Sequence, residues 1–307
     1  KAVKGKNAMY KKNDMKQFNG VYTLVLTPFH EDRSIDFPAL ERYAEWQASQ
    51  KPQHLFAVCG SAEMTSLNFE ERLRIAKTVV GRAGSVPVVA TANLEPSWLA
   101  QVEEVKRMEA TGVSGLVFVT KGYGNDQNRM FTYLAELSTY TELPIVLYEC
   151  PGFSPHLMEA ETYGKLVQTG RFVSIKDTTC TMPAIKEKIA VQGESSVLQA
   201  NIPYLYEAYL AGARGVCATT TTCGTRLFVK MWDEFTNGRI EEAKKTHEHI
   251  CLLDNAIDGG FCATAKYLVS LQGIPMNWVT RGNHKLNDQR LKALRVWYDW
   301  ARDYGIM

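Results

Sequence analysis

The sequence has no long hydrophobic run and almost no excess of charge of either sign. No stretch approaches the roughly 18 apolar residues that a membrane-spanning helix requires. The 307 residues include 35 Lys+Arg and 33 Asp+Glu, a formal net charge of +2. Such a balance provides no broad basic surface for nucleic acid or for anionic lipid. We therefore expect a partner that is neither a membrane nor a nucleic acid.

The cysteines also lack any pairing pattern. There are seven, an odd number, and no C-x-x-C motif occurs. This excludes a recognisable disulfide framework or zinc motif and is typical of free thiols in a reducing compartment. The lysine-rich N-terminus is not followed by an apolar segment, unlike a signal peptide. We expect a cytoplasmic protein without a metal site, with a flexible tail over residues 1–17.

Short apolar runs alternate with longer stretches of helical spacing. Phe37–Gln47 follows a candidate N-cap at Asp36, and Phe69–Val80 follows another at Asn68. Alternating strands and helices indicate parallel strands joined by helical crossovers. Eight runs predict strands that are buried on both faces: Val21–Leu26, Leu55–Val58, Pro87–Thr91, Gly115–Val119, Pro144–Tyr148, Phe172–Ile175, Ser196–Leu198 and Gly215–Ala218.

Eight strand–helix units predict an α/β fold, a (β/α)8 TIM barrel. A doubly wound open sheet is the alternative, but Thr27-Pro28-Phe29-His30 after the first strand does not match the G-x-G-x-x-G fingerprint of such sheets. The last part of the chain has helical spacing. We therefore expect the barrel over residues 18–236 and a C-terminal helical extension over residues 237–307.

Reactive side chains stand where two neighbouring strands end, and this is where barrels carry their chemistry. Lys176 directly follows the run Phe172–Ile175, and Tyr148 ends the preceding strand. A lysine withdrawn from water can attack a ketone as a neutral amine and form a Schiff base. A phenol can move a proton. Taken singly, each residue could equally cap its strand, the lysine reaching solvent and the tyrosine lying at the rim of the core.

A loop of small residues follows the second strand, with Gly60, Ser61 and Ala62 in succession. Such a turn can present backbone N–H groups to a carboxylate. Taken alone, it could also be an ordinary strand-to-helix loop.

Taken together, these segments resemble the dihydrodipicolinate synthase / N-acetylneuraminate lyase family of Schiff-base aldolases and dehydratases. The resemblance runs from about Gly20 to the C-terminus. Its order and spacing are specific, although no single motif is decisive. The segments that carry it are Gly20-Val21-Tyr22 to Leu26-Thr27-Pro28-Phe29, Cys59-Gly60-Ser61-Ala62-Glu63, Val119-Thr120 with Tyr123, Tyr148 with Pro151, Ser174-Ile175-Lys176-Asp177, Gly215-Val216, Lys266-Tyr267 and Arg281-Gly282.

The resemblance implies catalytic roles for four residues. Lys176 would be the Schiff-base nucleophile, and Tyr148 would relay protons at the imine and at the substrate oxygen. Gly60 corresponds to the threonine whose hydroxyl the family places in this relay, so either Ser61 or a water molecule would supply that hydroxyl. Tyr123 corresponds to a tyrosine that, in many members, completes the relay of a neighbouring subunit. A homodimer or a homotetramer is therefore expected.

The resemblance also implies where the substrate binds. The 2-oxo acid carboxylate would lie against the loop, and further contacts would come from the ends of the seventh and eighth strands. The expected binding residues are Gly60, Ser61, Ala62, Asn201 and Ala218.

Some positions depart from the family pattern. Synthase members have an arginine two residues after the proline of the tyrosine motif, whereas here Pro151 is followed by Gly152, Phe153 and Ser154. The sialic-acid lyase branch has an Asp-Glu pair after the seventh strand, where this chain has Asn201. Glu149 replaces the usual asparagine after the tyrosine.

These features predict a lyase that forms a Schiff base with a pyruvate-type 2-oxo acid, without a metal or organic cofactor. The expected reaction is aldol cleavage or condensation, or dehydration, of a 2-keto-3-deoxy sugar acid or similar compound. A synthase-like condensation of pyruvate with an aldehyde is an alternative. A non-catalytic 2-oxo-acid sensor on the same scaffold is another.

Overall fold

The apolar runs form eight parallel strands in a closed barrel, ordered β1 to β8 as in the chain. The structure, a computed structural model, describes residues 15–121, 126–149, 157–258, 260–282 and 284–307. The strands are β1 (Gly20–Leu24), β2 (His54–Ala57), β3 (Val88–Thr91), β4 (Gly115–Val119), β5 (Ile145–Tyr148), β6 (Phe172–Asp177), β7 (Ser196–Gln199) and β8 (Gly215–Val216). The predicted barrel is confirmed.

The helices follow the strands and then continue beyond the barrel. Those that alternate with the strands are α1 (Phe37–Ser49), α2 (Phe69–Arg82), α3 (Trp98–Glu109), α4 (Gln127–Leu137), α5 (Ala160–Gln168), α6 (Met182–Val191), α7 (Leu205–Ala211) and α8 (Thr221–Thr236). The C-terminal helices are α9 (Ile240–Asp258), α10 (Phe261–Leu271) and α11 (Asp288–Asp303). Within the described residues, no helix is long and apolar enough to cross a membrane.

The strands β6 and β8 differ most in length from the sequence prediction, by two residues each, and both differences have a local cause. β6 continues to Asp177, because its last residues still pair with β7. β8 stops at Val216, because the Ala218 carbonyl already accepts the Thr221 N–H in the turn that leads to α8. All residues of the eight strands are buried, as expected for strands covered on both faces.

The chain divides into two compact units by the density of its internal contacts. One comprises residues 15–19 with Val89–Gly215, and the other comprises Gly20–Val88 with Val216–Met307. The first contains β4 to β7 and their helices, and the second contains β1, β2 and the C-terminal helices. Each unit is described separately below.

A buried asparagine holds the end of β4 in the first unit. Asn93 is fully buried, and its side chain accepts the Val119 N–H at 2.8 Å and donates to the Val119 carbonyl at 2.9 Å. It also contacts the Tyr133 hydroxyl of α4 at 2.9 Å. The amide thus replaces a missing strand partner for both polar backbone groups of one residue, since buried backbone groups need such partners.

Replacing Asn93 with alanine should therefore destabilise the protein by about 1–3 kcal/mol, because the Val119 N–H and C=O become buried without partners. Urea unfolding measures this loss. Asn128→Ala changes an exposed asparagine of α4 and should cost less than about 0.5 kcal/mol. Equal stabilities of the two variants would contradict the role given to Asn93.

Candidate active site

Lys176 and Tyr148 lie side by side at the ends of β6 and β5. The two residues are register partners in the parallel pairing of these strands. Lys176 Nζ lies 4.3 Å from the centre of the Tyr148 ring. Lys176 is 5% exposed and Tyr148 6% exposed. The lysine amine and the tyrosine ring, which the sequence indicated as two separate candidates, are therefore in contact.

Glu149 and Asp177 directly follow Tyr148 and Lys176, and their side chains face the other side of the sheet. Successive side chains of a strand alternate between its two faces, so Glu149 and Asp177 point away from Tyr148 and Lys176. Both carboxylates are fully buried and reach Lys188 of α6. The amine and phenol therefore belong to the face that this helix does not cover.

A single ammonium group joins the two carboxylates. Lys188 Nζ donates to Glu149 Oε1 at 2.5 Å and to Asp177 Oδ1 at 3.0 Å. Glu149 Oε2 accepts the Met158 N–H at 2.9 Å, and Asp177 Oδ2 accepts from the Gln199 amide at 2.9 Å. We name Glu149, Asp177, Lys188 and Gln199 the buried clamp. Its members link β5, β6 and β7 to α6.

The clamp carries two acids for one base, and this affects Glu149. Burial raises the pKa of Glu149 to about 7; Asp177 also raises it, while the Lys188 ammonium partly opposes the rise. Tyr163 of α5 also interacts electrostatically with Asp177 and Glu149; its hydroxyl contacts Ser195 at 2.8 Å, and burial raises its pKa. Glu149 therefore changes charge near neutral pH, one residue after Tyr148.

In the second unit, the loop after β2 forms a single 3₁₀ turn over Gly60–Ala62. The Ala62 N–H donates to the Cys59 carbonyl, and the Glu63 N–H donates to the Gly60 carbonyl. The first N–H groups of a helical turn have no partner within it, so Gly60 and Ser61 are the donors this loop can offer. Ala62 instead shapes the loop, since its carbonyl accepts the Thr27 hydroxyl at 2.8 Å.

The Ser61 hydroxyl has a partner beyond the loop. Its Oγ lies 2.8 Å from Thr219 Oγ1, just after β8. Ala218, the expected binding residue before Thr219, is 1% exposed, and its carbonyl accepts from the backbone and hydroxyl of Thr221. Ala218 thus shapes this turn, and the hydroxyl at the end of β8 belongs to Thr219.

Glu63 holds the loop after β2 in place through the hydrogen bonds of its carboxylate. It adopts a left-handed backbone with φ 61°, a conformation that costs free energy for a residue other than glycine. Its carboxylate accepts from buried Lys266 Nζ at 2.8 Å and from the N–H groups of Arg281 and Gly282 at 2.7 Å each. These three bonds offset the strain and fix the turn that contains Gly60 and Ser61.

Asn201 follows β7 in the first unit. Its backbone N–H donates to the Gln199 side chain at 2.7 Å. Its Nδ2 is buried, and no described residue accepts a hydrogen bond from it. A buried donor without a partner is costly, so Asn201 is suited to an oxygen of a bound molecule.

Some predicted residues lie outside the described part of the chain. Tyr123, the expected relay residue for a neighbouring subunit, is one of them, and residues 150–156 are also outside it. Among the described residues, no group of three or more His, Cys, Asp or Glu side chains is placed to hold a metal ion.

Sequence reasoning missed both Lys188 and the contact between Ser61 and Thr219. The signal for Lys188 was available: it lies three residues after buried Ile185, on the apolar side of α6, where a lysine needs a partner. Two carboxylates at the ends of adjacent strands are candidate partners, but the sequence alone does not indicate that they meet a lysine 39 and 11 residues away. It also does not indicate which hydroxyl of the run Thr219–Thr222 meets Ser61.

Known proteins resemble the chain over nearly all its length. It is 29% identical over 251 residues to 4-hydroxy-tetrahydrodipicolinate synthase of Magnetococcus marinus, covering 81% of this chain and 84% of that protein. It is 26% identical over 282 residues to the protein of the same name from Oceanobacillus iheyensis, covering 91% and 95%.

Solved structures show the same fold. YagE, a prophage protein of E. coli K12 solved in complex with pyruvate, superposes with a TM-score of 0.86 at 19% identity, covering 93% of this chain and 99% of that one. CdNal from Clostridium difficile, solved in complex with mannosamine, gives 0.84 at 17% identity and covers 92% and 98%. At such identities, the likeness establishes the fold.

The barrel and the sequence likeness together define a class I aldolase-type lyase. The sequence profile described as the dihydrodipicolinate synthetase family matches residues 17–293. The chain therefore belongs to the dihydrodipicolinate synthetase family, and the predicted family and class of enzyme are confirmed.

The raised pKa of Glu149 predicts a pH-dependent stability. The folded state holds this proton more tightly than the unfolded chain does, so the stabilisation is complete below the ordinary value of 4.5 and is lost as pH rises through about 7. The free energy of unfolding of the unmodified protein should therefore fall between pH 5 and pH 8 relative to that of Glu149→Gln.

Urea unfolding at several pH values measures both slopes. Glu136→Gln, which changes an exposed glutamate of α4, should keep the slope of the unmodified protein. Parallel slopes for Glu149→Gln and the unmodified protein would contradict a titrating Glu149.

Proposed function

We propose that Lys176 forms a Schiff base with a pyruvate-type 2-oxo acid, and that the enzyme cleaves, condenses or dehydrates a 2-keto-3-deoxy sugar acid or similar compound. One observation carries the proposal. The described residues include three buried lysines, Lys176, Lys188 and Lys266. The last two bind carboxylates, whereas Lys176 has no carboxylate partner among the described residues and contacts the ring of Tyr148. Its amine is therefore not engaged in an ion pair.

The first chemical step is attack of Lys176 Nζ on C2 of the oxo acid. A carbinolamine forms, and loss of water gives an iminium ion. In aldol cleavage, a base removes the proton of the C4 hydroxyl while the electron pair of the C3–C4 bond moves to the iminium, which gives an enamine and releases an aldehyde. In dehydration, removal of a C3 proton gives the enamine, and the C4 hydroxyl is then protonated and leaves as water. In both routes the iminium on Lys176 holds the electron pair as an enamine.

The substrate carboxylate is assigned to the loop after β2. The N–H groups of Gly60 and Ser61 begin the 3₁₀ turn and supply the donors. Glu63 and its buried partners keep the turn in place, so the donors are set before substrate arrives.

Proton transfer is assigned to Tyr148, because its ring already contacts the reacting amine. A positioned acid or base of this kind contributes about 10²–10⁴-fold to rate. The Ser61–Thr219 hydroxyl pair supplies a second route for a proton in the loop that would bind the carboxylate. Tyr123 remains a prediction for the relay, and with it the homodimer or homotetramer and the cytoplasmic location.

The proposed substrate class is inferred from Asn201, which follows β7, and from the sequence Pro151-Gly152-Phe153-Ser154. Asn201 offers a buried amide donor to an oxygen of the substrate, which suits a hydroxylated chain. The absence of an arginine from Pro151-Gly152-Phe153-Ser154 removes a cation for a second carboxylate. Both features favour a keto-deoxy sugar acid over an aldehyde that carries its own carboxylate.

Condensation of pyruvate with an aldehyde is the second candidate. The names of the curated relatives from Magnetococcus marinus and Oceanobacillus iheyensis favour it. Both reactions pass through the same enamine, so assays of product from pyruvate plus aldehyde, and of cleavage of keto-deoxy acids, distinguish them. Adduct formation without turnover of either kind would support the sensor alternative.

Borohydride added with pyruvate should trap an irreversible adduct on Lys176, because reduction of the imine makes the bond permanent. Intact mass followed by peptide mapping locates the adduct. Lys176→Met should abolish it, and Lys186→Met, which changes an exposed lysine of α6, should leave it unchanged. No adduct, or an adduct on another lysine, would contradict the proposal.

Tyr148→Phe should slow exchange of the pyruvate methyl protons with deuterated water by about 100-fold, the scale of general acid–base catalysis. Exchange reports enamine formation and needs no knowledge of the physiological substrate; proton NMR follows it. Tyr304→Phe changes a tyrosine that is 71% exposed and serves as the control. An unchanged rate for Tyr148→Phe would remove the phenol from the proposed mechanism.

A further inference from the structure

We propose that Lys188 is a positioning residue: by binding Glu149 and Asp177 it fixes the ends of β5 and β6, and so holds the Tyr148 ring against the Lys176 amine. This role rests on the Schiff-base function proposed for Lys176. Lys188 itself reaches neither the substrate nor the reacting atoms.

The covalent connections are direct. Tyr148 precedes Glu149, and Lys176 precedes Asp177, so each carboxylate belongs to the residue next to a proposed catalytic side chain. One nitrogen binds both carboxylates, at 2.5 and 3.0 Å. Any sliding of β5 against β6 at this end would stretch at least one of these bonds.

The backbone ladder alone holds this end weakly. The Glu149 N–H to Lys176 carbonyl distance is 3.4 Å, long for an N–H···O hydrogen bond. The side-chain clamp therefore adds a second connection to the backbone pairing of Tyr148 with Lys176 at this end.

Stability does not account for the clamp. Lys188, Glu149 and Asp177 are each at most 2% exposed, and desolvation of buried charges can exceed the attraction between them. Two acids on one base also leave an uncompensated charge when both are ionised. Apolar residues of similar size would fill this space at lower cost, so a role in geometry explains the arrangement better.

Hydrogen bonds from other residues hold the clamp in place in addition to the two ion pairs of Lys188. Asp177 accepts from the Thr179 hydroxyl at 2.9 Å and from the Gln199 amide of β7. Glu149 Oε2 accepts the Met158 N–H at 2.9 Å, and the Thr178 hydroxyl donates to the backbone carbonyl of Glu149 at 3.0 Å. Both carboxylates thus have a fixed orientation, as a positioning device requires.

The test compares Lys188→Met with Lys186→Met, two residues earlier on the exposed face of α6. The rate of borohydride trapping with pyruvate should fall at least tenfold per folded molecule in Lys188→Met, with the half-saturating pyruvate concentration within threefold. It should be unchanged in Lys186→Met. Lys188→Arg, which keeps a charge able to bind two carboxylates, should recover at least a third of the rate.

A second readout does not depend on pyruvate. Reductive methylation with formaldehyde, followed by peptide mass, measures access to each amine. It should rise at least threefold at Lys176 in Lys188→Met and stay constant at buried Lys266, which the second unit holds separately. A general loosening of the protein would raise the methylation of both Lys176 and Lys266.

The outcomes separate the two proposals. Failure of the unmodified protein to trap pyruvate would overturn the Schiff-base function. The change in methylation at Lys176 relative to that at Lys266 would then test the positioning role of Lys188 by itself. Trapping at the unmodified rate in folded Lys188→Met, or equal methylation changes at Lys176 and Lys266, would overturn the clamp.

If Lys188→Met does not fold, the neutral set Glu149→Gln/Asp177→Asn/Lys188→Met replaces it, because it removes every charge of the clamp together. This variant should also trap at least tenfold more slowly. A rate equal to that of the unmodified protein would again overturn the clamp.

Discussion

Burial of three lysines, one at the end of β6 and two on the helices α6 and α10, is the constraint on which the described part of this structure depends. An ammonium group removed from water needs an anion or hydrogen-bond acceptors. Among the described residues, Lys188 has Glu149 and Asp177, and Lys266 has Glu63. Lys176 instead contacts the Tyr148 ring. Each paired lysine holds a part of its own unit, and Lys176, which has no ion pair among these residues, is the proposed nucleophile.

Each paired lysine supports a different part of the proposed mechanism. In one unit, Lys188 connects the residues that follow the amine and the phenol. In the other, Lys266 and the N–H groups at Arg281 and Gly282 hold Glu63 and hence the loop that begins with Gly60. The proposed anion-binding site is local, so a formal net charge of only +2 gives no sign of it.

The sequence predicted the barrel because strands covered on both faces are nearly continuous apolar runs, which are easily recognised. It also predicted the positions of Lys176 and Tyr148, since both directly end such runs. It did not predict the clamp, because the partners of Lys188 lie 39 and 11 residues away and a lysine in an amphipathic helix normally faces water. It did not predict that the Ala62 and Glu63 N–H groups bond within the 3₁₀ turn, because these hydrogen bonds depend on the local geometry. They leave the N–H groups of Gly60 and Ser61 as the donors of the turn.

Family membership narrows the chemistry to that of a lyase, and the keto-deoxy sugar acid is our proposal for its substrate. The central claim concerns one covalent bond, so a crystal soaked with pyruvate and reduced with borohydride tests it most directly. The account predicts continuous electron density from Lys176 Nζ to C2 of the ligand, with the carboxylate at the Gly60 and Ser61 N–H groups. Pyruvate bound without a link to Lys176, or linked to a different lysine, would contradict it.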